Sequence, residues 1–196
     1  MPTRMLVQRS IYDEAVELAG AAFESFPYGD PTDMGNLMGP VVSQKQRERV
    51  LGYIEKGKDE GARVVVGGGR PAHLERGYFV EPTLFADVDN SMTIAREEIF
   101  GPVLVVIPFE DDDDAVRIAN DNQYGLGAYI TSGSTDRALA MASRIRAGTV
   151  SINGGVTYGA DAPFGGYKAS GIGRQNGIEG FEQYTETKTI GVSIPG

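Results

Sequence analysis

Apolar positions fall into short runs separated by glycine-rich and polar breaks, and two periods alternate along the chain. Met5-Leu6-Val7-Gln8 is a short strand candidate. Ile11, Ala15, Leu18 and Ala22 follow i, i+4, i+7, i+11 spacing, which predicts a helix over residues 11–23 with that stripe turned inward. Tyr28-Gly29-Asp30-Pro31 breaks it. Ser43-x-x-Gln46 has the form of a capping box and opens a second helix, with Val50, Leu51 and Ile54 on its buried face and Gly61 at its end. Residues 63–66 and 78–85 read as strands, the second carrying Pro82, which favours an edge or a bulge. Gly67-Gly68-Gly69 lacks phosphate-loop spacing and reads as a turn.

Val103-Leu104-Val105-Val106-Ile107 is continuously apolar, as expected of a strand covered on both faces. The five acids at 110–114 lack the spacing of a calcium loop and instead favour the start of a helix over 115–120. A strand over 126–131 follows. Next come a helix over 135–145 with Ala138, Met141 or Ala142, and Ile145 inward, and a strand over 149–153. This alternation predicts an α/β fold: an open, mostly parallel sheet with helices on both faces. Near the end, Ile190, Val192 and Ile194 alternate with small or polar residues before Pro195, so residues 184–196 read as a terminal strand arm and 1–183 as the body.

Composition narrows the chemistry. A formal charge of -9 over 196 residues argues against nucleic acid and anionic membrane as partners. No apolar run reaches spanning length and the first residues lack a signal-peptide pattern, so the expected location is cytoplasmic. With no cysteine there are no disulfides, and with a single histidine, His73 in a polar loop, a transition-metal site is not expected.

The candidate chemistry lies in Glu97-Glu98-Ile99-Phe100-Gly101-Pro102, just before the apolar strand. Gly-Pro makes a stiff bend. A carboxylate there could accept hydrogen bonds from the vicinal hydroxyls of a ribose, and an aromatic face suits a flat heterocycle. The same residues also fit a polar loop whose phenylalanine enters the core.

The stretch from Met92 through Arg96-Glu97-Glu98-Ile99-Phe100-Gly101-Pro102-Val103 resembles the signature of the NAD(P)-dependent aldehyde dehydrogenase superfamily. The resemblance continues through Pro163-Phe164-Gly165-Gly166-Tyr167-Lys168-Ala169-Ser170-Gly171-Ile172-Gly173-Arg174 and covers essentially the whole chain. It implies NAD or NADP as cofactor, with Glu98 on the nicotinamide ribose and Phe100 against the nicotinamide. It places Gln46 and Arg49 near the same ribose, arginine standing where lysine is often found; the alternative role of Gln46 is the helix cap. It implies an aldehyde as substrate, with Phe164 and Tyr158 in the wall of its tunnel and room for bulky aldehydes at Gly154 and Gly155. It implies a homo-oligomer built through the terminal arm, with Arg174 and Glu186 tying arm to body, and a glutamine, Gln175, where glutamate is usual.

In that family a thiolate attacks the aldehyde, hydride passes to nicotinamide and water releases the acid from a thioester. Thr3-Arg4 matches a pair that follows the cysteine by a few residues, so the resemblance places the nucleophile about two residues before Met1. The general base and the glycine-rich cofactor half also lie upstream in the family. The chain thus resembles a C-terminal part of such an enzyme, expected to be inactive alone. A stand-alone binding or assembly module is the alternative from another class. A sibling branch acting on acyl phosphates or semialdehydes is a third.

Overall fold

The computed structural model describes residues 3–194. The chain forms two compact units, Met1–Asp121 and Asn122–Gly196. In the first, β1 (Arg4–Gln8) leads through a 3-10 turn (Arg9–Ile11) into α1 (Tyr12–Glu24). Then come α2 (Gln44–Asp59), β2 (Arg63–Val66), β3 (Thr83–Ala86), α3 (Thr93–Arg96), β4 (Val103–Phe109) and α4 (Asp112–Asn120). The sheet order is β1-β4-β3-β2. β4 pairs in parallel with β1 and β3, and β2 closes the edge antiparallel to β3 with a register shift between Val64 and Val66. The predicted strand over 78–85 shrinks to its last residues, because Pro82 has no N–H to give a ladder.

β4 is covered on both faces. Val103, Val105 and Ile107 pack with Val50 and Ile54 of α2, Phe85 of β3, Ile94 of α3 and Ile118 of α4. Val106 faces the other way and joins Val7, Tyr12, Val16, Leu84 and Ala86, with Leu104 against them. The period-2 alternation of a strand thus divides one apolar run between two cores.

α1 corrects the sequence reading. Its buried residues are Tyr12, Val16 and Gly20, with Ala19 and Phe23 packed alongside, while Ile11 is 54% and Leu18 64% exposed. Two stripes of similar spacing compete on this helix, and the one carrying tyrosine, valine and phenylalanine removes more apolar surface from water. Tyr12 also locks the rotation. Its hydroxyl donates to the Val106 carbonyl at 3.2 Å and accepts the Asp87 N–H at 2.7 Å.

Helix starts follow their capping chemistry. Ser43 Oγ accepts the Gln46 N–H at 3.2 Å, and Asp111 accepts the Asp114 N–H at 2.9 Å ahead of α4. α3 has no cap of its own. Instead Glu60, from the C-terminus of α2, accepts the Thr93 N–H at 2.7 Å and the Thr93 hydroxyl at 2.6 Å. Partial burial raises the Glu60 carboxyl pKa, but the two bonds from Thr93 and the charge of Lys56 outweigh it and leave it below its ordinary value.

In the second unit β6 (Gly127–Ile130) pairs in parallel with β7 (Thr149–Ile152) around α5 (Thr135–Ala142). Before it, β5 (Tyr124–Gly125) pairs antiparallel with β8 (Tyr167–Lys168), and α6 (Gly177–Glu182) follows. Residues 185–194 form no strand in the single chain. Ile190, Val192 and Ile194 are 78%, 81% and 89% exposed. Pro195 of the predicted arm lies outside the described residues.

Two outcomes test this fold. Val16→Asp buries an unpaired charge and should destabilise the protein by more than about 3 kcal/mol, whereas Leu18→Asp should stay within about 0.5 kcal/mol in urea unfolding; equal damage from both would contradict the rotation of α1. A carboxyl whose folded pKa is depressed stabilises above its unfolded value and loses that contribution as the pH falls through the folded one. Hydrogen exchange at residues 93–97 should therefore accelerate below about pH 4.3 relative to β4. Glu60→Gln should remove that step; a step that survives the substitution belongs to another group.

Candidate functional site

The segment from Thr93 to Gly101 lies along α2, held by side chains from both ends of that helix. At its start Glu60 caps α3. At its end the Gln46 side-chain amide donates to the Ile99 carbonyl at 3.0 Å and the Phe100 carbonyl at 2.8 Å. Between them Arg49 donates to the Glu98 carbonyl at 2.6 Å and to the Tyr53 hydroxyl at 3.1 Å, with its guanidinium 4.9 Å from the Tyr53 ring centre. The Tyr53 hydroxyl donates to Glu97 Oε2 at 2.7 Å. Two glycines let the surfaces close. A Cβ on Gly101 would lie 2.5 Å from Val50 Cγ2, and one on Gly57 would lie 2.8 Å from Ile94 Cδ1.

Phe100 does not enter the core; it is 73% exposed and holds φ +59, a left-handed conformation that a residue with a Cβ rarely adopts. Such strain persists where neighbours over-determine it, and the Gln46 amide bonds both carbonyls around it. Of the two candidate roles of Gln46, the cap is formed through its backbone N–H on Ser43 Oγ, while its side chain goes to the loop carbonyls of Ile99 and Phe100. Glu98 is exposed, and its carboxylate has no hydrogen-bond or ion-pair partner among the described residues.

Of the residues singled out in the sequence, four meet here: Gln46, Arg49, Glu98 and Phe100. Arg49 and Gln46 are engaged with loop backbone. Tyr53 and Glu60 were missed, as was the bond that ties Glu97 to Tyr53. The signal for them was present, since Gln46, Arg49, Tyr53 and Glu60 recur at intervals of three, four and seven along one helix face.

The second unit brings Tyr158 and Phe164 together, with ring centres 5.6 Å apart. Phe164 is fixed through its backbone, which exchanges two 2.7 Å hydrogen bonds with Gln175. Tyr158 is 68% exposed. Arg174 donates to the carbonyls of Gly166 at 3.1 Å and Gly173 at 2.6 Å and lies over the Tyr167 ring; it makes no ion pair with Glu186 among the described residues. Arg4, of the Thr3-Arg4 pair, is turned into the first unit. It donates to Asn90 Oδ1 at 2.7 Å and to the carbonyls of Ile118 and Ala119 at 3.0 Å.

The family described as "Aldehyde dehydrogenase family" matches residues 1–190. The mitochondrial aldehyde dehydrogenase of Homo sapiens is 45% identical over 193 residues, covering 98% of this chain and 37% of the relative. The betaine aldehyde dehydrogenase of Brucella anthropi is 44% identical over 194 residues, covering 98% and 40%. Among solved structures, an aldehyde dehydrogenase of Mycobacterium tuberculosis complexed with NAD+ superposes with a TM-score of 0.91 at 48% identity, covering 98% of this chain and 40% of that one. The chain spans about two fifths of the length of these relatives. By the extent of the family match and the agreement in fold, this chain belongs to the aldehyde dehydrogenase family.

Proposed function

We propose that this chain carries the nicotinamide-ribose clamp and part of the aldehyde wall of an NAD(P)-dependent aldehyde dehydrogenase, and acts with a nucleophile and general base supplied from outside it. The supporting observation is the pair Glu98 and Phe100: one unpartnered carboxylate and one outward aromatic, two residues apart on a backbone held from α2. That donor set fits the group. The carboxylate can accept both hydroxyls of a ribose, and the ring offers a face to a flat heterocycle. The NAD+ complexes among related structures support the same choice. Bound there, the nicotinamide supplies a hydride acceptor.

The remaining assignments follow from what each side chain touches. Gln46 and Arg49 act one step back from the cofactor, fixing the carbonyls on which Glu98 and Phe100 are mounted. Phe164 and Tyr158 present an aromatic surface to the aldehyde, Phe164 held by its bridge to Gln175. The sequence contains no cysteine, so the covalent nucleophile of thioester chemistry is not among its residues. The tail serves assembly into a homo-oligomer: an alternating apolar segment without a ladder partner docks on the sheet edge of a second copy.

In an enzyme that joins this chain to its cysteine-bearing part, Glu98→Gln should slow single-turnover hydride transfer by about 100-fold while weakening cofactor binding far less, since it misplaces one end of a ligand held elsewhere too. Unchanged hydride transfer would remove Glu98 from the clamp. For the tail, light scattering should find the chain dimeric or larger and a version ending at Gln183 monomeric. A monomeric full chain, or equal association of the shorter one, would show that the tail is not the assembly element.

A further inference from the structure

Two adjacent carboxylates, Glu97 and Glu98, precede Phe100, and a ribose clamp uses one of them. Glu97 has φ −108 and ψ 152, an extended conformation in which successive side chains point to opposite sides. Glu97 and Glu98 are both exposed but differ in partner: Glu97 is held on α2 by the Tyr53 hydroxyl and the Glu98 carboxylate has no partner among the described residues, while beside them Ile99 is 6% exposed and Phe100, at φ +59, is 73% exposed. The phase of the alternation decides which carboxylate faces a ligand.

Two contacts set that phase. Ile99 is anchored in the core with Val50 and Ile54. At the other end the Tyr53 hydroxyl holds Glu97 Oε2 at 2.7 Å. Tyr53 is itself fixed, since it packs partly buried against that core while Arg49 donates to its hydroxyl at 3.1 Å and stacks over its ring. The same Arg49 nitrogen reaches the Glu98 carbonyl at 2.6 Å, so phenol, guanidinium and the Glu97-Glu98 backbone form one connected unit.

We propose that Tyr53 is a positioning residue of the clamp: by holding Glu97 on α2 it fixes the phase of the extended segment and presents Glu98, and not Glu97, together with Phe100. This rests on the cofactor reading of Glu98 and Phe100. Tyr53 touches no ligand. It acts by keeping the second carboxylate out of the site and by reducing the conformational freedom that binding would otherwise have to remove.

The test titrates the whole chain with nicotinamide mononucleotide, the half of the cofactor that such a clamp would grip, and follows backbone amide signals by NMR. In the wild-type chain the shifts should centre on Glu98 and Phe100 and spare Glu97. Tyr53→Phe and Glu97→Ala should each weaken binding about three- to tenfold, and the double variant should be no worse than either single one, because both remove the same contact. Glu97→Gln keeps an acceptor for the tyrosine hydroxyl and should bind like wild type, a rescue that a purely packing role would not give. It also leaves the tyrosine ring in place, which covers the case in which Tyr53→Phe fails to fold. Additive losses, or Tyr53→Phe and Glu97→Ala binding as wild type, would overturn the role of Tyr53. Binding unaffected by Glu98→Gln would overturn the clamp itself, and no shift in the wild-type chain would overturn both.

Discussion

The local structure at the candidate site depends on the Gln46 amide and the two carbonyls it binds. A left-handed phenylalanine costs on the order of 1–2 kcal/mol, and an exposed ring contributes little burial to offset it. The carbonyls on either side of the Ile99–Phe100 step are therefore tied to one donor on a rigid helix. Gly101 completes the arrangement, since a side chain there would run into Val50 and lift the turn off α2. The strain and its restraint come from the same few residues. This is the pattern expected where backbone geometry is kept for a ligand and not for stability.

That restraint is only as firm as α2, and α2 is firm because of the strand beneath it. Val50 and Ile54 are fully buried against Phe85, Val103 and Val105. Behind the sheet, α1 covers Val106 through Tyr12 and Val16, so β4 cannot shift toward either side. Cores packed to crystal-like density resist small displacements. The polar stripe of α2 inherits that stiffness and passes it to the segment from Thr93 to Gly101.

Much of this was legible in the chain. The apolar run at 103–107, the capping serine at 43 and the acids at 110–114 each declare an element by local chemistry; β4 and α2 form at those places, and α4 begins at Asp112, ahead of the helix expected over 115–120, with three of the acids in its first turn. The rotation of α1 was not legible, because Ile11-Ala15-Leu18-Ala22 and Tyr12-Val16-Ala19-Phe23 both satisfy helical spacing. Only the packing partner decides between them. Glu98 and Phe100 were singled out by motif, and both are exposed. Tyr53 was not singled out, since a tyrosine amid apolar helix positions reads as core, and its bond to Glu97 spans 44 residues. The tail shows a third limit. Its alternation is plain in the sequence, but a strand is defined by its partner, and among the described residues the tail has no ladder partner.

The exchange of lysine for arginine at position 49 acquires a physical reading from these contacts. An ammonium is a compact point charge, and it could reach one carbonyl. The planar guanidinium of Arg49 does two things at once: it stacks on the Tyr53 ring, and it directs one nitrogen to both the Tyr53 hydroxyl and the Glu98 carbonyl. The stacking requires an aromatic ring one helical turn away, and the paired hydrogen bonds require the hydroxyl on that ring. Residues 49 and 53 are therefore coupled, and arginine at 49 has its full effect only with tyrosine at 53. A side chain that the family resemblance places on the cofactor is here directed inward to the backbone that carries Glu98 and Phe100. Of the two exposed acids, Glu97 is held by Tyr53 and the Glu98 carboxylate has no partner among the described residues.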